Sequence, residues 1–313
     1  MIQLRGASVA VALLVDALFG EPPEAIHPAV LMGWLISRFE RRALVLEDGR
    51  QMRLAGLLLA VALPALSFAL VRTTLRLAPP KLRRSLEVGL LSTTLSMRGL
   101  ARAALAVERE LENGNLKAAR ARVGELVGRD TVHLSSGEVA RAAIESVAEN
   151  TSDGAVAPML YGLLWGAPGA LAYKATNTLD SMVGHPHPPY RDLGWASARL
   201  DDLANLVPAR LTALSAAVSA QRATTLTVAR RYGPLTRSPN AGWTEAAFAG
   251  ALNLKLGGVN SYGGVLRQGP NLGSGRLPEA GDIRQAVRLM RRTCVFLAGV
   301  AVVVSLARGC QGG

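Results

Sequence analysis

Apolar residues run unbroken in some stretches of this chain and recur at helical spacing in others. Leu54 to Val71 (LAGLLLAVALPALSFALV) is 18 residues without a charge, close to the roughly 20 needed to cross a hydrocarbon core of about 30 Å. It predicts a membrane span. Thr293 to Ala307 is uncharged for 15 residues between Arg292 and Arg308, whose aliphatic stems can snorkel and lengthen its reach. Residues 6–20, interrupted by Asp16, and 203–220, which hold Pro208 and Arg210, are further candidate spans.

Residues 97–150 follow a different pattern. Eight basic and seven acidic side chains lie between Arg98 and Ala148, while Leu100, Ala103, Ala104, Val107 and Leu111 recur at three- and four-residue steps. That spacing predicts water-facing amphipathic helices. Asn113-Gly114-Asn115 supplies a stop, and Ser135 or Ser136 followed by Glu138 predicts a new helix start. No strand pattern of useful length is evident, and there is no internal repeat.

Gly154 to Tyr173 is the informative stretch, 20 uncharged residues that resemble one more span. As a straight helix it would put Asp153 and Lys174 on opposite sides of a bilayer. Gly166-Ala-Pro168-Gly169 breaks it, because Gly166 ends one helix and Pro168 suits the first turn of the next. Each arm is then about 10 to 12 residues, too short to cross. The expectation is a helical hairpin that returns to the side it left.

Composition agrees with a membrane protein. Half of the 313 residues are hydrophobic, 19% are charged and 4% aromatic, which excludes a disordered chain. The net charge of +12 sits beside the apolar runs, with no aromatic interleaving and no nucleic-acid-binding signature, so nucleic acid is not an expected partner and the lipid bilayer is. Between Arg222 and Arg292 there are eleven basic and three acidic residues, which places that stretch on the cytoplasmic side by the positive-inside rule. Two cysteines, Cys294 and Cys310, make no disulfide framework. The expected architecture is all-α: a polytopic integral membrane helical protein over residues 1–313 as one membrane-embedded unit, with a water-facing region at 97–150 and a central broken hairpin.

Several polar clusters flank these segments. Glu145, Glu149 and Asp153 are four residues apart, so a continuing helix stacks three like charges on one face. They form either a solvated face partnered by Arg141 or a Mg²⁺ site or general base. Lys174, Asn177 and Asp180 share a helical face just after the uncharged run, and polar clusters beside membrane segments are costly and usually functional. If the hairpin holds, the two clusters meet in one pocket. Arg199 can pair with Asp202, and at most one of Asp201 and Asp202 can serve a site, since neighbours on a helix point apart. The Gly257-Gly258 to Gly263-Gly264 stretch offers either backbone amides for phosphate or a flexible surface loop. His185-Pro186-His187-Pro188 reads as a rigid loop, and His27 as either a base or a turn residue.

Ordered motifs along nearly the whole chain resemble the adenosylcobinamide-phosphate synthase family (CbiB/CobD). They are Asp16-Ala-Leu-Phe-Gly20-Glu-Pro with His27-Pro28, Gly128-Arg129-Asp130-Thr131, Glu149-Asn-Thr-Ser-Asp153-Gly154 and Tyr173-Lys174-Ala-Thr-Asn177-Thr178-Leu-Asp180-Ser181. They continue in Gly194-Trp195-Ala-Ser-Ala-Arg199-Leu-Asp201-Asp202, Ser238-Pro239-Asn240-Ala-Gly242-Trp243 and Leu256-Gly257-Gly258 with Tyr262-Gly263-Gly264. The His185-Pro186-His187-Pro188 loop departs from the family pattern.

The resemblance implies cobalamin biosynthesis by amide ligation. (R)-1-Aminopropan-2-ol O-phosphate, or aminopropanol itself, would be joined to a propionate carboxyl of adenosylcobyric acid at the expense of ATP, with Mg²⁺. The catalytic set it implies is Glu145, Glu149, Asn150, Asp153, Lys174, Asn177 and Asp180, with Glu149, Asp153 and Asp180 for the metal. Substrate and phosphate contacts fall to His27, Arg129, Asp130, Arg199, Asp202, Asn260 and Tyr262, and Glu145, Asp130 or His27 is available as the base that frees the amine. It also implies the bacterial inner membrane, a cytoplasmic active face and assembly with later cobalamin enzymes. The alternative is a non-enzymatic membrane sensor similar to AmpE, which would share the topology without needing the two polar clusters.

Overall fold

A computed structural model describes residues 5–310 of the chain, with side chains through Ala307. Its elements in order are α1 (Arg5–Phe19), α2 (Pro28–Ala43), α3 (Gly49–Leu77), α4 (Pro80–Ser92), α5 (Met97–Glu112), α6 (Leu116–Gly124) and α7 (Ser136–Thr151). Next come α8 (Ala157–Trp165), α9 (Ala167–Val183), α10 (Tyr190–Leu193), α11 (Trp195–Ala220), α12 (Thr224–Tyr232) and α13 (Ala241–Leu252). Two strands, β1 (Leu256–Tyr262) and β2 (Val265–Leu272), precede α14 (Ala280–Cys310). Among the described residues, three helices are long and apolar enough to cross a membrane: Gly49–Leu77, Trp195–Ala220 and Ala280–Ala307. Helix α1 has 15 residues, about 22 Å, and falls short of the core thickness by itself. This is an all-α helical membrane protein.

The chain divides into two compact units, one of Met1–Ser96, Ala157–Asn205 and Ala298–Gly313, the other of Met97–Val156 and Leu206–Leu297. In the first, α8 and α9 form the hairpin that the Gly-Pro break predicts. Gly166 adopts φ 72° at the junction, and Pro168 lies in the first turn of α9. Gly169 permits the close approach, since a Cβ there would lie 2.7 Å from the Trp165 Cβ and 2.8 Å from the Tyr161 carbonyl oxygen. Tyr161 stacks on Tyr173 with ring centroids 5.1 Å apart, and α9 packs also on α3 and α2. The arms are unequal, nine residues against 17.

In the second unit the amphipathic helix α5 buries Leu100, Ala101, Ala104 and Val107 against α6 and α7. Asn115 caps α6, accepting from the Ala118 N–H at 3.2 Å, and Ser135 with Glu138 forms the capping box that starts α7. Two features depart from expectation. Helix α7 runs into a π-helical turn at Ser152–Val156, whose wider i→i+5 spacing interrupts the regular four-residue stacking before Asp153. Residues 256–272 are not a loop but an antiparallel β-hairpin, with Tyr262 opposite Val265 and a register shift between Gly257 and Val259. Its turn is Gly263-Gly264, at φ 58° and 78°, the paired positive values that a two-residue hairpin turn requires. Glycine and polar residues hid the period-two pattern, because this ribbon buries little of either face.

Candidate active site

Within the second unit, β1 lies across α7, and the loop before α7 carries Arg129 and Asp130 to the same strand. Glu145 is the hub. Its Oε2 accepts from the Arg129 guanidinium, its Oε1 accepts from the Gly257 N–H at 2.7 Å, and Arg141 stands 3.9 Å from Oε1. The side chains of Arg129, Arg141 and Glu145 are 7%, 8% and 8% exposed, so this is a buried ionic network. Arg141 also donates to the carbonyls of Gly257 and Val259, and the Asn260 Oδ1 accepts from both arginines. A buried charge is tolerable only when paired and hydrogen-bonded, and here each of the three is.

Beside this network opens a cleft of about 210 Å³, walled by Arg129, Glu145, Glu149, Glu245, Asn260 and Tyr262 with the Gly128 and Gly257 backbone. Sequence reading singled out five of those six side chains. Glu245 it missed, although Glu245 is the lone charged residue of α13 (AGWTEAAFAGAL), and that isolation is a usable signal. Burial, and next the carboxylates of Glu145 and Glu149, push the Glu245 carboxyl well above the usual carboxylate range against the weaker pull of Arg129 and Arg141.

Other candidate residues hold the frame. Asp130 accepts from the Ser261 hydroxyl at 2.6 Å and from the Gly264 and Gly263 N–H groups at 2.8 and 3.1 Å. These bonds, the Ser261 one first, hold its carboxyl below the usual range. It tethers the hairpin turn and is a poor base. Asn150 donates back to the Ser146 carbonyl at 3.0 Å and the Ser146 hydroxyl at 3.3 Å, and Asp153 lies in the π turn outside the cleft wall. Among the described residues no group of three or more His, Cys, Asp or Glu is arranged to hold a metal ion. Glu149 and Asp153 belong to the second unit and Asp180 to the first.

The remaining candidates belong to the first unit. Asn177 donates to the Asp201 Oδ1 at 3.4 Å, the Asn205 amide donates to Oδ2 at 2.9 Å, and the Tyr173 hydroxyl donates to the Asn205 Oδ1 at 2.8 Å. Asp201, rather than Asp202, is thus the carboxylate in a network, and Asp202 pairs with exposed Arg199 at 3.4 Å. Asp180 turns its carboxylate against Gly184, where a Cβ would fall 2.0 Å from Oδ1. His27 caps α2, its Nδ1 accepting from the Ala29 N–H at 3.1 Å, with Nε2 3.6 Å from Glu21. Burial, opposed by Glu21 and assisted by Lys174, lowers its pKa. His27 thus makes the capping bond that the turn reading expects. The Lys174-to-Asp180 cluster and the Glu145-to-Asp153 cluster fall in different units, and each is described within its own.

Fold and cleft together define a helical membrane protein with a polar, ionic pocket in one of its units. A family model described as CobD/Cbib protein matches residues 9–290, and the chain belongs to that family. It is 44% identical over 313 residues to the cobalamin biosynthesis protein CobD of Geobacter metallireducens, covering 96% of each chain. It is 42% identical over 303 residues to that of Chromobacterium violaceum, again 96% of each, and 41% over 304 residues to that of Halalkalibacterium halodurans, 94% of each. No solved structure matches the chain.

Proposed function

We propose that this protein, a member of a cobalamin-biosynthesis family, forms an amide between (R)-1-aminopropan-2-ol O-phosphate or aminopropanol and a propionate carboxyl of adenosylcobyric acid, using ATP. A carboxylate is a poor acyl donor. Transfer of the γ-phosphoryl group converts it to an acyl phosphate and releases ADP; the amine nitrogen then attacks the carbonyl carbon, and the C–O bond to phosphate breaks as the C–N bond forms. The observation that carries this reading is the cleft itself, where a guanidinium fixed by Glu145 and Asn260 borders space shared with carboxylates.

Arg129 is the group suited to the phosphoryl oxygens, because a planar guanidinium stabilises developing charge there and its buried partners hold it in place. The Gly257 N–H is committed to Glu145 and is not available to phosphate. Magnesium would accompany ATP as the nucleotide's own counter-ion, in keeping with its habit of one or two carboxylates plus phosphate oxygens. The Lys174-to-Asp180 cluster carries no step. The basic excess over residues 222–292 supports a cytoplasmic cleft in a bacterial inner membrane. Membranes containing the chain, supplied with adenosylcobyric acid, ATP and either amine, are expected to form a cobinamide amide only when all three are present. No product with either amine would return the non-enzymatic sensor reading to first place.

A further inference from the structure

The cleft is too small for the larger molecule it is proposed to act on. Its volume of about 210 Å³ falls below the roughly 300 Å³ at which pockets begin to enclose a drug-sized ligand, and a corrin macrocycle is larger still. A propionate arm can enter, while the ring must rest outside. The wall that continues outward is the β1–β2 hairpin. Directly opposed residues of an antiparallel pair point to the same face, so the register sets Asn260 with Arg267 and Tyr262 with Val265 on one face, and Ser261 with Leu266 on the other. Asn260 and Tyr262 line the cleft, and Val265 and Arg267 therefore extend the same wall toward solvent. Tyr262 and Val265 are 41% and 59% exposed, and the Arg267 guanidinium lies over the Tyr262 ring, 5.3 Å from its centroid. A free two-stranded ribbon is marginal in water. This one is pinned at its turn by Asp130 and at its base by Arg141, which donates to the Gly257 and Val259 carbonyls. An apolar surface backed by a cation is thus held stiffly at the mouth of a site whose inner wall presents Arg129.

We propose that the ribbon face formed by Tyr262, Val265 and Arg267 seats the corrin ring of the carboxyl substrate, so that one propionate arm reaches Arg129. The inference rests on the ligation reading and adds the place of its larger substrate. The ring face that carries no adenosyl group stacks on the Tyr262 side chain and covers the valine beside it. Amide carbonyls on the rim of the ring accept from Arg267, whose planar guanidinium keeps donors free at its edge while its face lies on the tyrosine. The carboxylate at the end of the arm complements the Arg129 guanidinium. Tyr262, Val265 and Arg267 touch the ring and not the reacting carboxyl, so their loss is expected in the corrinoid KM rather than in kcat.

The test is equilibrium dialysis of adenosylcobyric acid against the purified full-length protein in detergent, without ATP or amine, read by corrin absorbance. Tyr262→Ala is expected to weaken binding about tenfold, the scale of one anchoring aromatic, and Tyr262→Phe, which keeps the ring, to retain most of the affinity. Leu266→Ala changes the opposite face, where that side chain is 74% exposed, and is expected to leave binding unchanged, so a general effect of altering the hairpin does not pass for a seat. Absence of corrinoid binding to the wild type overturns the proposal, as does unchanged affinity in Tyr262→Ala or an equal loss in Leu266→Ala. A Tyr262→Ala variant that keeps its corrinoid affinity but loses a dimer or a vesicle association seen in the wild type gives the face to a second copy or to lipid, and overturns the proposal too. Corrinoid binding that depends on Tyr262 in a wild type that forms no amide overturns the ligation reading and leaves the seat standing. Amide formation by Tyr262→Ala with unchanged corrinoid KM does the reverse.

Discussion

The Asp130 carboxylate accepts a hydrogen bond from the Ser261 hydroxyl at 2.6 Å, and the Asp130 N–H returns one to the Ser261 carbonyl at 2.9 Å. The residues just before each of them, Arg129 and Asn260, are bonded to one another as well. Two consecutive residues of the loop are therefore clipped to two consecutive residues of β1. Asp130→Ala is expected to loosen the turn and, through the clip, misplace Arg129, lowering kcat about tenfold. Because its bonds hold Asp130 below the ordinary range, the clip's contribution is present above the unfolded-state pKa and is lost as pH falls through the lowered folded value. Hydrogen-exchange protection of the Gly263 and Gly264 amides at neutral and acid pH measures it; protection unchanged by Asp130→Ala contradicts it.

The Arg129–Glu145 pair is buried on both sides, so removing one partner strands the other. Arg129→Ala is expected to destabilise the second unit by about 3 kcal/mol, the lower end for a broken buried pair because Arg141 remains near Glu145. Adding Glu145→Ala should recover part of that loss. A double-mutant cycle from chemical unfolding in detergent gives the coupling, and strict additivity would show that the two side chains do not act together.

Glu245 carries a raised carboxyl, and for an acid the folded state then binds its proton more tightly than the unfolded state does. The associated stability is complete below the unfolded value near 4.3 and declines as pH rises toward the raised folded value. Glu245→Gln is therefore expected to melt a few degrees above wild type at pH 8 and with little difference at pH 4. Thermal unfolding at the two pH values checks this, and a variant less stable at pH 8 contradicts the assignment.

In the first unit the two neighbouring aspartates should separate cleanly. Asp201→Ala leaves the amides of Asn205 and Asn177 without their acceptor, at a cost of about 2 kcal/mol. The exposed pair of Asp202 with Arg199 is worth less than about 1 kcal/mol, and Arg199→Ala, which removes it from the arginine side, is expected to cost no more than that. Equal losses would overturn the distinction drawn here.

Gly169 should tolerate no side chain. A Cβ would press on the Trp165 Cβ and the Tyr161 carbonyl, both of which are fixed within α8, so Gly169→Val is expected to cost about 1 to 3 kcal/mol by overpacking. Limited proteolysis of the α8–α9 turn reports it directly.

What the sequence made legible followed from local rules. The Gly166 and Pro168 break, the Asn113-Gly114-Asn115 stop and the Ser135–Glu138 box all depend on residues within a turn of one another, and each stands where the spacing placed it. The β-hairpin escaped because its signal is a Gly-Gly turn between strands that bury few side chains, so alternation is absent. The π turn escaped because nothing local distinguishes Ser152 to Val156 from ordinary helix. At the cleft, Arg129, Glu149 and Tyr262 stood out in ordered motifs, Glu145 by its four-residue spacing from Glu149, and Asn260 within the glycine-rich stretch. Glu245 comes from α13, far along the chain, and only the fold brings it to them. Asp201 lost to Asp202 for the same reason: the helix shows that the two point apart, but only packing decides which one is buried.

Amide ligation through an acyl phosphate is tested most directly by following oxygen. Adenosylcobyric acid carrying ¹⁸O in its reacting carboxyl is incubated with ATP, amine and the full-length protein, and the released inorganic phosphate is examined by mass spectrometry. The account predicts label in phosphate in proportion to amide formed, since the carboxyl oxygen leaves bonded to phosphorus. Amide accompanied by unlabelled phosphate, or by label in AMP, would contradict it.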